Sequence, residues 1–244
     1  MEAMVFMGID GCRGGWICIT LQKSAEYQWH IVSTAGSLVD LIASRKLSLI
    51  DIPIGLVGPG NQERRCDREA RKVLGMPRAA SVFSPPARAT LEADNYDKAL
   101  IVNRRQTRKG ISKQAWNITP KIREVDWLIR SNPGLKGKLR ECHPEVCFWA
   151  LNGKTPMGYN KKTTEGCEER LSVLAGYVPQ ASSIVESIAR QLPRRVLAMD
   201  DIVDALVLAV TARLGYGKLV TLPANPPLDE IGLSMEIVYA DDSR

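Results

Sequence analysis

Two short apolar runs, each followed by an aspartate, constrain the fold of this chain more than any other feature. Residues 5–9 precede Asp10, and residues 47–50 precede Asp51. Continuous apolar runs of this kind are typical of strands that are buried on both faces of a sheet. A carboxylate at the end of such a strand is costly to desolvate unless a cation or hydrogen-bond donors compensate it. The two runs therefore predict a buried sheet with acidic groups at one edge.

The order of the neighbouring elements predicts how these two strands pair. Residues 16–21 and 27–33 have the pattern of two more strands, which form an antiparallel meander with the first. Residues 36–45 have helical spacing, so the chain reaches the second of the two runs through a crossover connection. Crossover rules allow that strand to lie parallel beside the first. The carboxyl ends of the two strands then meet, which places Asp10 next to Asp51.

A third acidic group lies in the clearest helical segment of the chain, predicted over residues 201–214. Asp201 and Asp204 are three residues apart, so they share one face of that helix. Asp200 is expected to be the N-cap. Capping and the helix dipole alone account for Asp200 and Asp201, but not for Asp204, which lies further inside the helix.

A fourth acidic position lies in residues 141–145, which read Glu-Cys-His-Pro-Glu and follow a strand predicted over residues 138–142. The carboxyl end of a strand that leads into a helix is a usual place for a site in an open sheet. Pro144 suits the first position of that helix. Glu145 either belongs to the site or complements the helix dipole. His143 is a candidate general acid, a partner of metal or phosphate, or a structural residue.

Carboxylates grouped in this way are typical of sites for divalent cations. The predicted catalytic group comprises Asp10, Asp51, His143, Glu145, Asp201 and Asp204. Its four aspartates are the predicted metal ligands, and oxygen-only ligation favours Mg²⁺ or Mn²⁺. Two such ions can activate a water molecule and stabilise the leaving oxygen in phosphodiester cleavage. Each early aspartate alone is also consistent with turn chemistry, since Asp10 precedes Gly11 and Asp51 lies two residues before Pro53.

The formal net charge of +6 is unevenly distributed along the 244 residues. Residues 61–140 are strongly basic, whereas the rest of the chain, which carries the acidic positions, is net negative. An acidic metal site with a basic flank suits a polyanion such as nucleic acid. The alternative is that the basic segment is only a solvent-exposed helical face without a binding role. Trp127 has the spacing of a core residue, and Pro120 is expected to start or kink a helix. The predicted nucleic-acid contacts are Arg13, Arg65, Arg104, Arg105, Lys113, Lys121 and Arg123.

Composition excludes several classes of protein. The chain has no apolar run of about 18 residues or more, so no membrane span is expected, and its start lacks the pattern of a signal peptide. The six cysteines include no Cys-x-x-Cys pair and are accompanied by only two histidines. This argues against zinc and favours free thiols in the reducing cytosol, so we expect a cytoplasmic protein. Length allows one domain over residues 1–244, with a basic, mostly helical insertion at about 55–135.

Seven segments carry a recognisable combination of motifs: residues 8–16, 51–56, 65–71, 113–116, 120–126, 141–145 and 201–205. Together they resemble the domain-of-unknown-function 429 family, whose members are described as predicted nucleases of the RNase H-like fold. The resemblance extends over roughly residues 4–215. It implies an α/β protein with a mixed sheet in the strand order 3-2-1-4-5, flanked by helices. That order agrees with the meander and crossover argued above.

The acidic layout is also similar to that of Holliday-junction resolvases of the RuvC type. Those enzymes have an Asp on strand one, an acid on strand four and a late helix with Asp-x-x-Asp-Ala. The matching positions here are Asp10, Asp51, Asp201 and Asp204. This sequence departs from the resolvase pattern in two ways: strand four ends in Asp rather than Glu, and the basic insertion is long. Because of these departures, the resemblance leaves the substrate open.

The expected function is a metal-dependent nuclease that hydrolyses phosphodiester bonds in DNA or RNA through a two-metal carboxylate site. One alternative is an ATP-dependent phosphotransferase of the actin and sugar-kinase type, which shares the sheet but normally needs a duplicated domain. The other is a non-catalytic nucleic-acid-binding or regulatory protein with a degenerate site. The sequence leaves the oligomeric state open, a homodimer included.

Overall fold

The computed structural model describes residues 4–24 and 26–241. Within those ranges the chain forms seven β-strands and eight α-helices, joined by loops and short 3-10 turns. The strands are β1 Val5–Cys12, β2 Gly15–Gln22, β3 Tyr27–Val32, β4 Leu47–Ile50, β5 Leu139–Glu141, β6 Leu219–Leu222 and β7 Ile237–Ala240. The helices are α1 Val39–Ala43, α2 Arg65–Leu74, α3 Tyr96–Thr107, α4 Lys113–Ser131, α5 Pro144–Leu151, α6 Thr164–Ala175, α7 Ala181–Gln191 and α8 Met199–Gly215.

Five strands form one mixed sheet in the order β3-β2-β1-β4-β5, and β6 pairs with β7 in a separate antiparallel ribbon. The meander of β1, β2 and β3 is antiparallel, whereas β1, β4 and β5 are parallel neighbours. Ile9 lies opposite Ile50, and the Asp51 N–H donates to the Ile9 carbonyl oxygen at 3.0 Å. The predicted α/β class, strand order and parallel pairing are therefore confirmed.

The first strand continues past Asp10, so the interpretation of this residue as part of a turn is wrong. Gly11 and Cys12 still pair with β2, and the hairpin turn comprises Arg13 and Gly14. Gly15, which follows the turn, has a φ of +124°, a conformation that glycine adopts without strain. Asp10 therefore lies within the ladder, opposite Ile17 of β2 and directly after Ile9, the last residue of β1 that pairs with β4.

Helices cover both faces of the sheet. The long helix α8 packs across β1, β2 and β4 on one face, where its apolar side chains meet Phe6, Ile17 and Leu49. Helix α4 and the short α1 cover the opposite face, which carries Ile9 and Ile50. Helix α8 is buried on nearly all sides because α5, α6 and α7 pack on it from outside. This explains why its sequence is apolar well beyond a single stripe.

One glycine allows α8 to approach the sheet closely. A Cβ on Gly8 would lie closer than 3.0 Å to backbone atoms of Ala205, Leu208 and Ala209. Only glycine fits where two backbones come this near. Residues 8 and 10 of a strand point to the same face, so the Asp10 side chain faces α8.

The basic segment between β4 and β5 contains α2, α3 and α4. Helix α4 is a layer of the fold, because Ile122 and Val125 pack against the sheet. Pro120 lies inside α4 rather than at its start. Trp127, expected in the core, is 61% exposed, since it lies outside the buried stripe of its helix.

None of the helices in the described ranges is long and apolar enough to cross a bilayer.

Candidate acidic site and its basic groove

Three aspartates converge on the face of the sheet that α8 covers. Asp10 projects from β1, Asp51 follows the last residue of β4, and Asp204 lies in the second turn of α8. Leu49, two residues before Asp51, also packs on the α8 face, which gives Asp51 the same orientation as Asp10. Asp10 and Asp204 are buried and Asp51 is half-buried. The predicted convergence of the early aspartates with the late helix is thus present in the structure.

The electrostatics of the three aspartates show that they act on one another. Burial raises the pKa of Asp10 well above its usual value, and the charges of Asp51 and Asp204 raise it further. Burial likewise raises the pKa of Asp204 to about 6, and Asp51 and Glu145 add to this effect. Burial also raises the pKa of Asp51, with a further contribution from Glu145. The cluster therefore disfavours its own ionisation and favours a nearby cation.

Lys161 supplies a cation to this cluster. Its Nζ donates to Asp204 Oδ2 at 2.5 Å, and its charge lowers the pKa of Asp10, Asp51 and Asp204. Burial opposes the charge of Lys161, but the neighbouring carboxylates raise its pKa above the ordinary value. Sequence reasoning missed this residue, because it lies in an irregular loop far along the chain from β1 and β4.

The loop that carries Lys161 is anchored to α6. The carboxylate of Glu169 accepts hydrogen bonds from the backbone N–H groups of Gly158 at 2.7 Å and Tyr159 at 3.1 Å. Thr163 caps α6 by accepting from the Gly166 N–H at 3.1 Å. Gly166 also lets the loop backbone pass closely, since a Cβ there would lie under 3.0 Å from the Asn160 backbone. These contacts fix the backbone on both sides of Lys161.

Glu145 lies beside the cluster but is held by another residue. Pro144 begins α5 as predicted, which places Glu145 in the first turn of that helix. Glu145 Oε1 accepts from Arg170 at 2.5 Å, and both side chains are buried. Glu145 Oε2 is buried and has no hydrogen-bond partner among the described residues. Because Glu145 raises the pKa of both Asp51 and Asp204, the sequence correctly placed it near them.

His143 is the N-cap residue of α5 and a neighbour of Asp51. Its positive form lowers the pKa of the Asp51 carboxyl. His143 Nε2 lies 3.5 Å from the Ser81 carbonyl oxygen, at the limit of a hydrogen bond, and its buried Nδ1 has no partner among the described residues. The ring is therefore close to the cluster with one nitrogen uncommitted.

Asp201 lies at the rim of the cluster and caps α8. Its Oδ2 accepts from the Ala198 N–H at 3.1 Å, and Ala198 is the N-cap position. The expectation that Asp200 is the N-cap is therefore wrong: the helix begins two residues earlier than predicted, at Met199, and the Asp201 carboxylate accepts the hydrogen bond from the N-cap N–H. Burial raises the pKa of Asp201, and its effect on Asp10 is smaller than that of Asp51 or Asp204.

The donor chemistry of the cluster suits a hard divalent ion. Asp204 Oδ1 and Glu145 Oε2 are buried oxygens that no donor in the described part of the chain contacts, and both can accept a cation. As the side chains stand, however, no three Asp, Glu, His or Cys residues within the described ranges are grouped to hold a metal ion. The arrangement shown is the one in which the ammonium of Lys161 neutralises Asp204.

An open groove of about 1190 Å³ adjoins the cluster. The β1–β2 hairpin, α4, the loop before α6 and the start of α8 form its walls. Its acidic lining comprises Glu124, Asp200 and Asp201, and Asp201 and Lys161 connect it to the cluster. Its basic lining residues are Arg13, Lys121, Lys161, Lys162 and Arg194.

Only some of the predicted nucleic-acid contacts face this groove. Arg13 and Lys121 line it, although Lys121 Nζ also donates to the Gly15 carbonyl oxygen at 2.5 Å. Arg123 donates to two backbone carbonyls and Lys113 Nζ lies 3.4 Å from the centre of the Tyr96 ring. Arg65 pairs with Glu69 on α2, and Arg104 and Arg105 are exposed on α3. The residues that sequence reasoning missed are Lys161, Lys162 and Arg194.

The fold and this site define an α/β protein in which buried carboxylates meet at the ends of two parallel strands and on a helix packed across them. The chain belongs to the DUF429 family, described as a protein of unknown function, whose model matches residues 8–228. That match contains Asp10, Asp51, Lys161 and Asp204. Comparison with curated proteins and with solved structures gives no match.

Proposed function

We propose that this protein is a divalent-metal-dependent phosphodiesterase that acts on nucleic acid. The observation that carries the proposal is the convergence of Asp10, Asp51 and Asp204 beside a large basic groove. The sheet order and the positions of the acids on β1, β4 and α8 also support assignment to the RNase H-like fold. A buried acidic cluster is costly unless a cation compensates it, and a basic groove next to it suits a phosphate backbone.

In this proposal each residue has a defined task. Asp10, Asp51 and Asp204 hold Mg²⁺ or Mn²⁺, with Asp201 at the rim. When bound, the metal supplies Lewis-acid activation of water and charge stabilisation at the phosphate. Glu145, kept in place by Arg170, offers its unpartnered oxygen as a hydrogen-bond acceptor.

In this proposal the groove holds the nucleic-acid substrate. Arg13, Lys162 and Arg194 are exposed basic residues in its lining and can contact backbone phosphates without giving up another partner shown in the structure. Phosphate contacts position a strand but do not read its sequence. The proposal therefore predicts binding with little sequence preference and strong dependence on salt.

A cleavage assay with labelled DNA and RNA, with and without Mn²⁺, tests the proposal. We expect metal-dependent cleavage that is lost in Asp10→Asn. Asp40→Asn makes the same chemical change at an exposed position of α1 and serves as the control. Cleavage by Asp10→Asn at the rate of the control would exclude Asp10 from the mechanism.

A non-catalytic nucleic-acid-binding protein is the second candidate. The observation that favours it is the Lys161–Asp204 ion pair, which places an ammonium group where a metal would otherwise be needed. A permanently paired site would bind nucleic acid in the groove but would gain no thermal stability from Mn²⁺. Thermal unfolding with increasing Mn²⁺ separates the two candidates.

A further inference from the structure

The ion pair between Lys161 and Asp204 joins a fully buried carboxylate to an ammonium group at the end of a partly exposed side chain. The Asp204 side chain is 1% exposed and is carried by α8, which is buried on nearly all sides. The Lys161 side chain is 35% exposed, and its residue lines the open groove together with Lys162 and Thr163. The long lysine side chain can therefore move into the groove while its backbone stays anchored, whereas Asp204 cannot follow it.

In the metal-free protein, Lys161 alone does not balance the negative charge that the acidic cluster can carry. Burial disfavours ionisation of the three carboxyl groups of Asp10, Asp51 and Asp204, and the single positive charge of Lys161 cannot balance the cluster once a second carboxyl ionises. A divalent ion would neutralise the group more completely. It would also compete with the Lys161 ammonium for Asp204, since a divalent ion on Oδ1 repels an ammonium group held on Oδ2 of the same carboxylate.

The groove offers the displaced ammonium a new partner. Lys161 lies between the acidic cluster and the basic lining, and it is the residue whose side chain contacts Asp204 while its loop faces the groove. A phosphate that enters the groove meets the ammonium as it leaves the cluster, and a charge-assisted hydrogen bond can then form.

We propose that metal uptake at the acidic cluster is an exchange, in which the divalent ion enters as the ammonium of Lys161 leaves Asp204 for the groove. Lys161 is thus the resident counter-ion of the metal-free protein and a phosphate-positioning residue of the loaded one. This inference rests on the proposed metal-dependent function, and it assigns to that site a residue that sequence reasoning missed.

Calorimetric titration with Mn²⁺ tests the exchange in the full chain. Lys161→Met removes the competing charge but keeps the length of the side chain. We expect this variant to unfold at a lower temperature without metal and to bind Mn²⁺ about tenfold more tightly or better, the factor that loss of one charge-assisted hydrogen bond corresponds to. Lys162→Met, next to it in the same groove but without a carboxylate partner shown in the structure, is the control for these two measurements. It should match the wild type in its unfolding temperature without metal and in its Mn²⁺ affinity, both measured in the absence of nucleic acid.

A measurement on the wild-type protein avoids the risk that Lys161→Met fails to fold. An amine-specific reagent, followed by peptide fragmentation and mass spectrometry, reports how fast each lysine is labelled. We expect labelling of Lys161 to be slow without metal and several-fold faster in Mn²⁺, whereas labelling of Lys162 stays constant. Equal labelling of Lys161 in both conditions overturns the exchange.

The outcomes separate this inference from the proposed function. If the wild type and Lys161→Met both bind Mn²⁺ with equal affinity, the metal site stands and the exchange is overturned. If neither binds Mn²⁺, the exchange and the metal-dependent function both fall. Tighter binding by Lys161→Met together with metal-stimulated labelling of Lys161 supports both.

Discussion

Replacement of Gly8 by alanine should disrupt the contact on which the acidic site depends. The added Cβ would lie closer than 3.0 Å to backbone atoms of Ala205, Leu208 and Ala209. Backbone cannot rotate out of the way as a side chain can, so α8 must move away from β1. Asp204 is carried by the same turn as Ala205, so this movement separates Asp204 from Asp10.

The size of the effect follows from two opposing contributions. Overpacking in a buried interface typically costs about 1–3 kcal/mol, and replacing glycine returns about 0.5–1 kcal/mol through the unfolded chain. With backbone on both sides of the clash we expect the upper part of this range, a net loss of about 2 kcal/mol. For a chain of this size that corresponds to a decrease in Tm of about 4–8 °C.

Thermal unfolding of Gly8→Ala and Gly134→Ala measures this effect against a matched control. A Cβ added to Gly134 would have no neighbouring atom within 4 Å, and Gly134 is not among the residues with positive φ. Its replacement should leave Tm unchanged or raise it slightly. Mn²⁺ affinity should fall in Gly8→Ala and stay constant in Gly134→Ala. The reasoning is refuted if the two variants unfold at the same temperature.

Three further predictions concern charge. Burial raises the pKa of Asp204 to about 6, so its ionisation should cost the metal-free protein about 3 kcal/mol as pH rises from about 4 to above 6. Tm in chelator should therefore fall over that pH range, and Asp204→Asn should flatten the slope. Arg64→Met removes the ion-pair partner of the buried carboxylates of Asp67 and Glu141, so it should lower the free energy of unfolding in urea by about 3–5 kcal/mol. The control, Arg65→Gln, changes the exposed neighbour and should lower it by less than about 1 kcal/mol. The double variant Arg13→Gln/Arg194→Gln should weaken nucleic-acid binding at low salt and reduce its salt slope, and an unchanged slope would exclude the groove as the binding surface.

The sheet was predictable because its signals are local. Each strand of the meander has its own apolar run, and the crossover through α1 limits the second Asp-terminated strand to a place beside the first. Once that pairing is given, Asp10 and Asp51 must lie side by side. Asp204 was also predictable, because it lies three residues after Asp201 in a clearly helical segment and therefore shares a face with it. These parts of the site needed only periodicity and connection rules.

The remaining parts depend on tertiary contacts that no local pattern encodes. Lys161 reaches Asp204 only because Glu169 and Gly166 fix an irregular loop against α6. Helical spacing shows that Trp127 lies on a particular side of α4, but only the packed structure shows that this side is solvent-facing. The N-cap position of α8 falls on Ala198, so neither Asp200 nor Asp201 occupies it, and this helix boundary places Asp201 where its carboxylate accepts from the Ala198 N–H.

The acidic cluster opposes the stability of the fold that contains it. Burial raises the pKa of Asp10 and of Asp204, which means that ionised carboxylates destabilise the folded state at neutral pH. The surrounding structure nevertheless holds them together: Gly8 admits α8, Arg170 positions Glu145, and an anchored loop delivers Lys161. A purely structural role would be met at lower cost by uncharged side chains of similar size. Buried charges that destabilise a fold, but that the surrounding structure holds in place, are expected at functional sites. This supports the proposal that the cluster binds a divalent cation.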